Sequence, residues 1–282
     1  MTAENNKSAD RASLIKAAQS IEVSAYLDMF RAAPAVFADE QQLRTEVVSG
    51  VTCFALKNVP VSLFNRTLEM GVKQPATEQS LREIIGWMRD HANQTFNIGL
   101  DINAQPLRLS DWLKSSDLKR SGGGIARFWR PTEKPLVHVE TDLVVRKANI
   151  TERDLGGRLI TEAFGFQSSF SAWFSQLICR EDWHFYFACD GEKPIATGAI
   201  YFKNGLAWLG VGATLKEYRG RGAQSLLLNH RIRDALSAGA TSIHVETGQP
   251  ADGEPIGASY RNILRSGFEV LFIREQYMPI SS

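Results

Sequence analysis

Cysteine is scarce in this chain. Cys53, Cys179 and Cys189 are an odd number with no CxxC spacing. That excludes a disulfide framework and a thiolate zinc site, and points to a reducing interior. An excess of one charge is also missing, since 32 basic residues face 31 acidic ones and leave a net charge of +1. No overall field therefore draws nucleic acid or anionic lipid. No apolar run approaches membrane-spanning length, and the opening MTAENNKSADRASL lacks the basic-then-apolar order of a secretory signal. His91, His138, His184 and His230 lack metal-ligand spacing, so no metal is expected. These absences lead to the expectation of a cytoplasmic protein without a membrane or nucleic-acid partner.

What is present suits a globular chain. A hydrophobic fraction of 44% and a charged fraction of 22% over 282 residues allow one large domain or two ordinary ones. After about eight residues expected to be disordered, Leu14, Ala18, Ile21, Ala25 and Met29 recur at helical spacing, and Pro34 closes the pattern. Short apolar runs at 51–56 and 61–64 read as strands. A helix starts near Pro75-Ala76-Thr77-Glu78 with Leu81, Ile84, Ile85 and Met88 on one face. A strand at 95–101, a helix at 109–118 and a strand at 125–129 follow.

Pro131 and Pro135 bracket a linker, and a second block begins at Leu143. Its order is β-α-α-β-β-β-α-β-α-β, which is mixed α/β rather than a regular βαβ array. Asn204-Gly205 between apolar runs signals a hairpin. The helix 223–237 carries Leu228, Ile232, Ala235 and Leu236 on one face and stops at Gly239. An internal echo links the two blocks. Gln105-Pro106 with Ser110 and Leu118 parallels Glu254-Pro255 with Ser259 and Phe268, and Gln79-Ser80-Leu81 parallels Gln224-Ser225-Leu226.

The chemistry concentrates in Leu209–Leu228, LGVGATLKEYRGRGAQSLLL. An apolar strand runs into the turn Arg219-Gly220-Arg221-Gly222-Ala223-Gln224 and then a helix. Helix N-termini offer unpaired N–H groups and partial positive charge, and glycine lets the backbone curl around an anion. Each charge-assisted bond there would contribute roughly 1.5–3 kcal/mol. Arg219 and Arg221 add charge, or one of them is simply solvated. Gly210 and Gly212 in the preceding strand mark a bulge or a close backbone approach. Ser242, His244 and Glu246 share one face of the next strand. Glu246, at its end, is a carboxylate on the same face, which an ordinary ion pair would account for.

From about Leu143 to the end, the chain resembles the GNAT superfamily of acyl-CoA-dependent N-acetyltransferases. The motif that carries the resemblance is Arg219-Gly220-Arg221-Gly222-Ala223-Gln224, supported by Tyr218, the strand 242–246 and Gly267-Phe268. The N-terminal half resembles the fold loosely and has Val72-Lys73-Gln74-Pro75 where the glycine turn would be, so it reads as a degenerate second copy. The resemblance implies two domains, 1–135 and 136–282, each a twisted, mostly antiparallel sheet flanked by helices. It implies acetyl-CoA as co-substrate and a primary amine of a small molecule or peptide as acceptor. Glu246, at the end of strand 242–246, would then be the candidate for amine binding or base, or else sit in an ordinary ion pair. Within the 219–224 cofactor loop, the pyrophosphate would sit on the backbone N–H groups from about Arg221 to Gln224, and the pantetheine arm would pair with Ala213, Thr214 and Leu215. Ser259 and Asn262 would contact the cofactor or cap and pack their helix.

Family members often protonate the leaving thiolate with a Tyr four residues before the Gly-Phe pair. Ile263 stands there, so Tyr260 one turn earlier substitutes, or water or the substrate does. Two other readings stay open: a non-catalytic acyl-CoA sensor, and a Rossmann-type nucleotide enzyme, which RGRGAQ fits poorly. The first half is expected to be structural: it walls the acceptor cleft, or adds a buried interface that either pairs the two halves or supports a homodimer.

Overall fold

The computed structural model describes residues 3–280, with side chains from Asp10 onward. The chain divides into two compact units. One contains residues up to Pro34, Arg127–Thr247 and Gly257–Leu271; the other contains Ala35–Ala126, Gly248–Ile256 and the chain from Phe272 onward. Both are mixed α/β, with mostly antiparallel strands flanked by helices.

In the Ala35–Ala126 unit, β1 (Leu43–Val48), β2 (Val51–Leu56), β3 (Arg66–Leu68) and β4 (Asn97–Leu100) lie side by side in that order. β1 is an exposed edge strand whose polar composition hides it from a periodicity reading. Its hairpin turns on Ser49 and Gly50, both at positive φ, as a tight two-residue loop requires. Residues 61–64, expected as a strand, form turns instead. The Asn65 amide donates to Val59 O and Val61 O and accepts from Leu56 N–H, taking the hydrogen bonds a ladder would need. The helix α3 (Glu78–His91) matches its sequence signal closely. Thr77 and Ser80 cap each other at its start, and Leu81, Ile84, Ile85 and Met88 are buried against Val51, Cys53 and Ile98.

The other unit holds α1 (Ala3–Arg31), so residues 3–8 belong to a helix rather than to a disordered lead. Its order is β7 (Val144–Lys147), α5 (Arg153–Phe164), α6 (Phe170–Leu177), β8 (Trp183–Asp190), β9 (Lys193–Lys203), β10 (Leu206–Thr214), α7 (Ala223–Ser237), β11 (Ser242–Gly248) and α8 (Ala258–Arg265). With β6 (Ile125–Arg130), the strands stand in the order β6-β11-β10-β9-β8-β7. β7 through β10 pair antiparallel, and β10–β11 is parallel.

The compact units do not follow the expected boundary at 135/136. α1 (Ala3–Arg31) packs with the second block: Phe30 meets the Trp173 ring edge-on at 5.4 Å, Tyr26 meets Trp208 at 5.8 Å, and Trp173 Nε1 donates to Met29 O at 2.7 Å. Conversely, residues 275–277 of β12 (Glu269–Pro279) pair antiparallel with β4, and buried Arg274 pairs with buried Asp101 at 2.6 Å. Aromatic burial draws the first helix to one unit, and strand pairing draws the last strand to the other.

Candidate active site

β10 builds the site by leaving its neighbour. It pairs with β11 only from Leu206↔Ser242 to Leu209↔Val245, then diverges. On its other edge the ladder with β9 runs on to Thr214↔Ala196 but is interrupted by a bulge between Gly210 and Ala213. Val211 and Gly212 have no partner in that register, and Val211 sits at φ 52°. Gly210 is required by contact, because a Cβ there would lie 2.0 Å from the Trp208 ring. Bulges of this kind re-aim the backbone of a strand beside a functional cleft.

Two side chains of α7 satisfy the carbonyls that the bulge strands. Gln224 Nε2 donates to Ala213 O at 3.0 Å, Thr197 O at 3.2 Å and Thr214 Oγ1 at 3.1 Å. Seven residues on, and so on the same helix face, Arg231 donates to Gly210 O at 3.1 Å and Ala199 O at 3.3 Å. The side-chain amide of Gln224 is therefore turned toward the strand, while its main-chain N–H, the group expected to meet the anion, lies in the first turn of α7.

The glycine turn is built as the sequence suggests. Gly222 caps α7 at φ 83° with no side-chain cap, and the first intrahelical bond is Leu226 N to Gly222 O at 3.0 Å. By helix geometry, the N–H groups of Ala223, Gln224 and Ser225 have no carbonyl one turn behind them. The arginines are committed elsewhere. Arg221 bridges Asp190 and Asp142, both at 2.6 Å, and Asp190 is held below the usual carboxylate range by that guanidinium. Arg219 donates to Thr214 O and Ala163 O, both at 3.2 Å. Thr141 Oγ1 donates to Arg221 O at 2.9 Å and fixes the turn from the linker side.

The predicted pantetheine contacts are partly engaged within the chain. Leu215 N donates to Ile195 O, and the carbonyls of Ala213 and Thr214 accept from Gln224 and Arg219. The residues of this strand without a ladder partner are Val211 and Gly212. Gly220 lies in open space at φ 87°.

Glu246 is the first residue of β11 past its last pair with β10, as Gly210 is on β10. It stands at the apex of the split. Its carboxylate is hydrogen-bonded by Arg127, which is fully buried and also pairs with buried Glu22 of α1 at 2.7 Å, and Tyr26 OH donates to Glu246 at 3.3 Å. His244, two residues earlier, is fully buried with Nε2 2.8 Å from Ser242 Oγ; burial, then the Arg127 charge, lowers its pKa to about 3. Arg127, Glu22 and Tyr26 escape sequence reasoning because they lie more than a hundred residues from Glu246.

Tyr260 and Ile263 form the buried side of α8, which packs on α7. Tyr260 stands edge-on to Phe128 at 4.9 Å, and burial raises its pKa, which weakens it as an acid. Ser259 is exposed and Asn262 half-buried.

Comparison with known proteins agrees with this geometry. Residues 157–253 match the model of the acetyltransferase (GNAT) family. A GCN5-related N-acetyltransferase from Kribbella flavida superposes over 88% of this chain and 95% of its own, with TM-score 0.58 and 16% identity. An acetyltransferase of the GNAT family from Colwellia psychrerythraea covers 92% and 96%, with TM-score 0.55 and 13% identity. A tandem GNAT protein from the clavulanic acid biosynthesis pathway covers 72% and 70%, with TM-score 0.50 and 12% identity. Comparison with curated proteins gives no match. At these identities the structural likeness is one of fold. Residues 157–253 thus match the acetyltransferase (GNAT) family model, in a chain whose fold is similar to that of GNAT N-acetyltransferases.

Proposed function

We propose that this protein transfers an acetyl group from acetyl-CoA to a primary amine of a small molecule or peptide, by direct attack within a ternary complex. The observation that carries the reading is the split after Leu209 and Val245, with the Gly222-capped start of α7 following β10 and Glu246 at the apex. The pyrophosphate takes the free N–H groups of 223–225, and the arm follows the bulged strand toward Gly210. From Thr214 back to Gly210 is four strand steps, about 13 Å.

The acceptor must attack as a neutral amine. Deprotonating an ammonium of ordinary pKa at pH 7 costs about 4.6 kcal/mol. Glu246 holds the ammonium and takes its proton, with Tyr26 and Arg127 fixing the carboxylate. Sulfur is protonated by Tyr260 or by water. The Arg127 guanidinium on Glu246 favours a second reading, because a carboxylate held by a cation is a weak base: a non-catalytic acyl-CoA sensor would keep the same arrangement.

Calorimetry with acetyl-CoA and a CoA-thiol release assay over a panel of primary amines separate these readings. Binding with release, lost in Glu246→Gln by about a hundredfold or more while affinity is kept, supports the enzyme. Tight binding without release supports the sensor, and absent binding sinks both. We also read the Ala35–Ala126 unit as a degenerate second copy that binds no cofactor, and the cytoplasm as the site of action.

A further inference from the structure

Arg231 is a buried cation with no carboxylate partner among the described residues. It is fully enclosed on α7, and its hydrogen bonds among the described residues go to three main-chain carbonyls: Leu227 O at 3.2 Å, Ala199 O at 3.3 Å and Gly210 O at 3.1 Å. Burial lowers its pKa to about 10, so the charge persists at neutral pH. Isolated buried charges are costly and are kept where they serve a purpose. The chain also makes room for this one. A Cβ on Gly198 would lie 2.7 Å from the Arg231 Cζ.

Carbonyl satisfaction alone does not demand a cation. Gln224 performs that task with a neutral amide at the Ala213 end of the bulge. The charge serves the Gly210 end, where β10 leaves β11 and Val211 lacks a ladder partner. A donor on a peptide carbonyl polarises the whole peptide unit, which makes its N–H a stronger donor. A guanidinium does so more than an amide can.

We propose that Arg231 is a positioning residue for acetyl transfer, acting through the Gly210–Val211 peptide so that the Val211 N–H polarises the thioester carbonyl of acetyl-CoA. The inference rests on the acetyl-transfer reading. In the reaction, the amine lone pair adds to the carbonyl carbon, and the carbonyl π pair moves to oxygen, which accepts the Val211 N–H. Collapse restores the double bond and breaks C–S. One acyl group passes from sulfur to nitrogen. The ammonium gives its first proton to Glu246, which passes it to water before attack. The nitrogen of the tetrahedral intermediate gives its second proton to Glu246, and the thiolate gains one from Tyr260 or water.

The test is isotope-edited infrared spectroscopy of acetyl-CoA carrying carbon-13 at the thioester carbonyl. On the wild-type protein its band is expected at lower frequency than in solution. Arg231→Met should lose at least about half of that displacement and slow transfer by about tenfold, a partial loss of one oxyanion donor, while Kd changes little. Gly198→Ala keeps Arg231 but displaces the guanidinium by its added methyl, so it should show the same loss if Arg231→Met does not fold. A purely structural arginine would leave the band in place. Absent acetyl-CoA binding would overturn the acetyl-transfer reading and this inference together. Binding with an undisplaced wild-type band, or a displacement that survives whichever of the two variants fold, would overturn the inference alone.

Discussion

At Arg221 and Gly222, adjacent residues of one motif have opposite importance. Gly222 needs its left-handed torsion to present the α7 N–H groups, whereas Arg221 is held by Asp142 and Asp190. Gly222→Trp should therefore abolish acetyl-CoA binding by calorimetry, and Arg221→Ala should weaken it by less than about fivefold, as for an exposed ion pair. A larger loss in Arg221→Ala would mean that the guanidinium leaves its carboxylates for the phosphate. The motif was legible in the sequence because glycine torsions and helix starts are local properties. The use of Gln224 was not, since its partners are carbonyls freed by a bulge eleven residues upstream. His244 gives a second prediction. Its folded pKa of about 3 lies below the ordinary 6.5, so the unfolded chain binds a proton that the folded one refuses. Stability from this residue is full above pH 6.5 and falls as pH drops toward 3, by about 1.4 kcal/mol per unit. Between pH 7 and pH 5, denaturant unfolding should lose about 2 kcal/mol more in the wild type than in His244→Gln.

Among the elements, β10 and α1 were read with different success. Glycines at 210 and 212 betrayed the bulge, because glycine inside a strand costs stability without a backbone reason. The helical period of α1 was equally plain, but its partners were not, since they are the aromatics of α6, β8 and β10 much later in the chain. Asp28 shows what α1 contributes. It accepts from Arg180 Nε at 2.5 Å and Trp183 Nε1 at 2.8 Å. Burial raises its pKa, but these bonds outweigh that and leave it below the usual range. Replacing it with Ala strands an indole N–H and a guanidinium together. Asp28→Ala should lower unfolding free energy by about 2–4 kcal/mol in denaturant titration. A change under about 0.5 kcal/mol, the range of ordinary surface substitutions, would show that α1 is held by its aromatic contacts alone. The polar edge strand β1 was missed for a related reason: an edge needs little apolar pattern, and its only signal was the Ser49-Gly50 turn.

For the whole molecule, the linker prolines at 131 and 135 suggested a simple two-domain chain, and the units cut across it. Composition marks where a chain is locally irregular; it does not mark which distant segments share a core. Residues 1–34 supply Tyr26, Asp28, Met29 and Phe30 to partners at 173, 180, 183 and 208. Residues 272–279 supply Arg274 to Asp101 and a strand to β4. A chain cut at 135/136 therefore leaves each piece short of part of its own core. The fragment 1–135 would lack the β12 strand beside β4 and leave Asp101 buried without its cation. The fragment 136–282 would expose Trp173 and Trp208 and leave β11 without the Arg127 that holds Glu246. Unpaired buried charges and exposed aromatics of this kind cost several kcal/mol each, comparable to the whole stability of a domain. Expressed separately, neither fragment should show a cooperative thermal transition. Co-expressed, they should recover one, together with acetyl-CoA binding. A cooperative melt from 136–282 alone would mean that the second block is self-sufficient and that α1 merely decorates it.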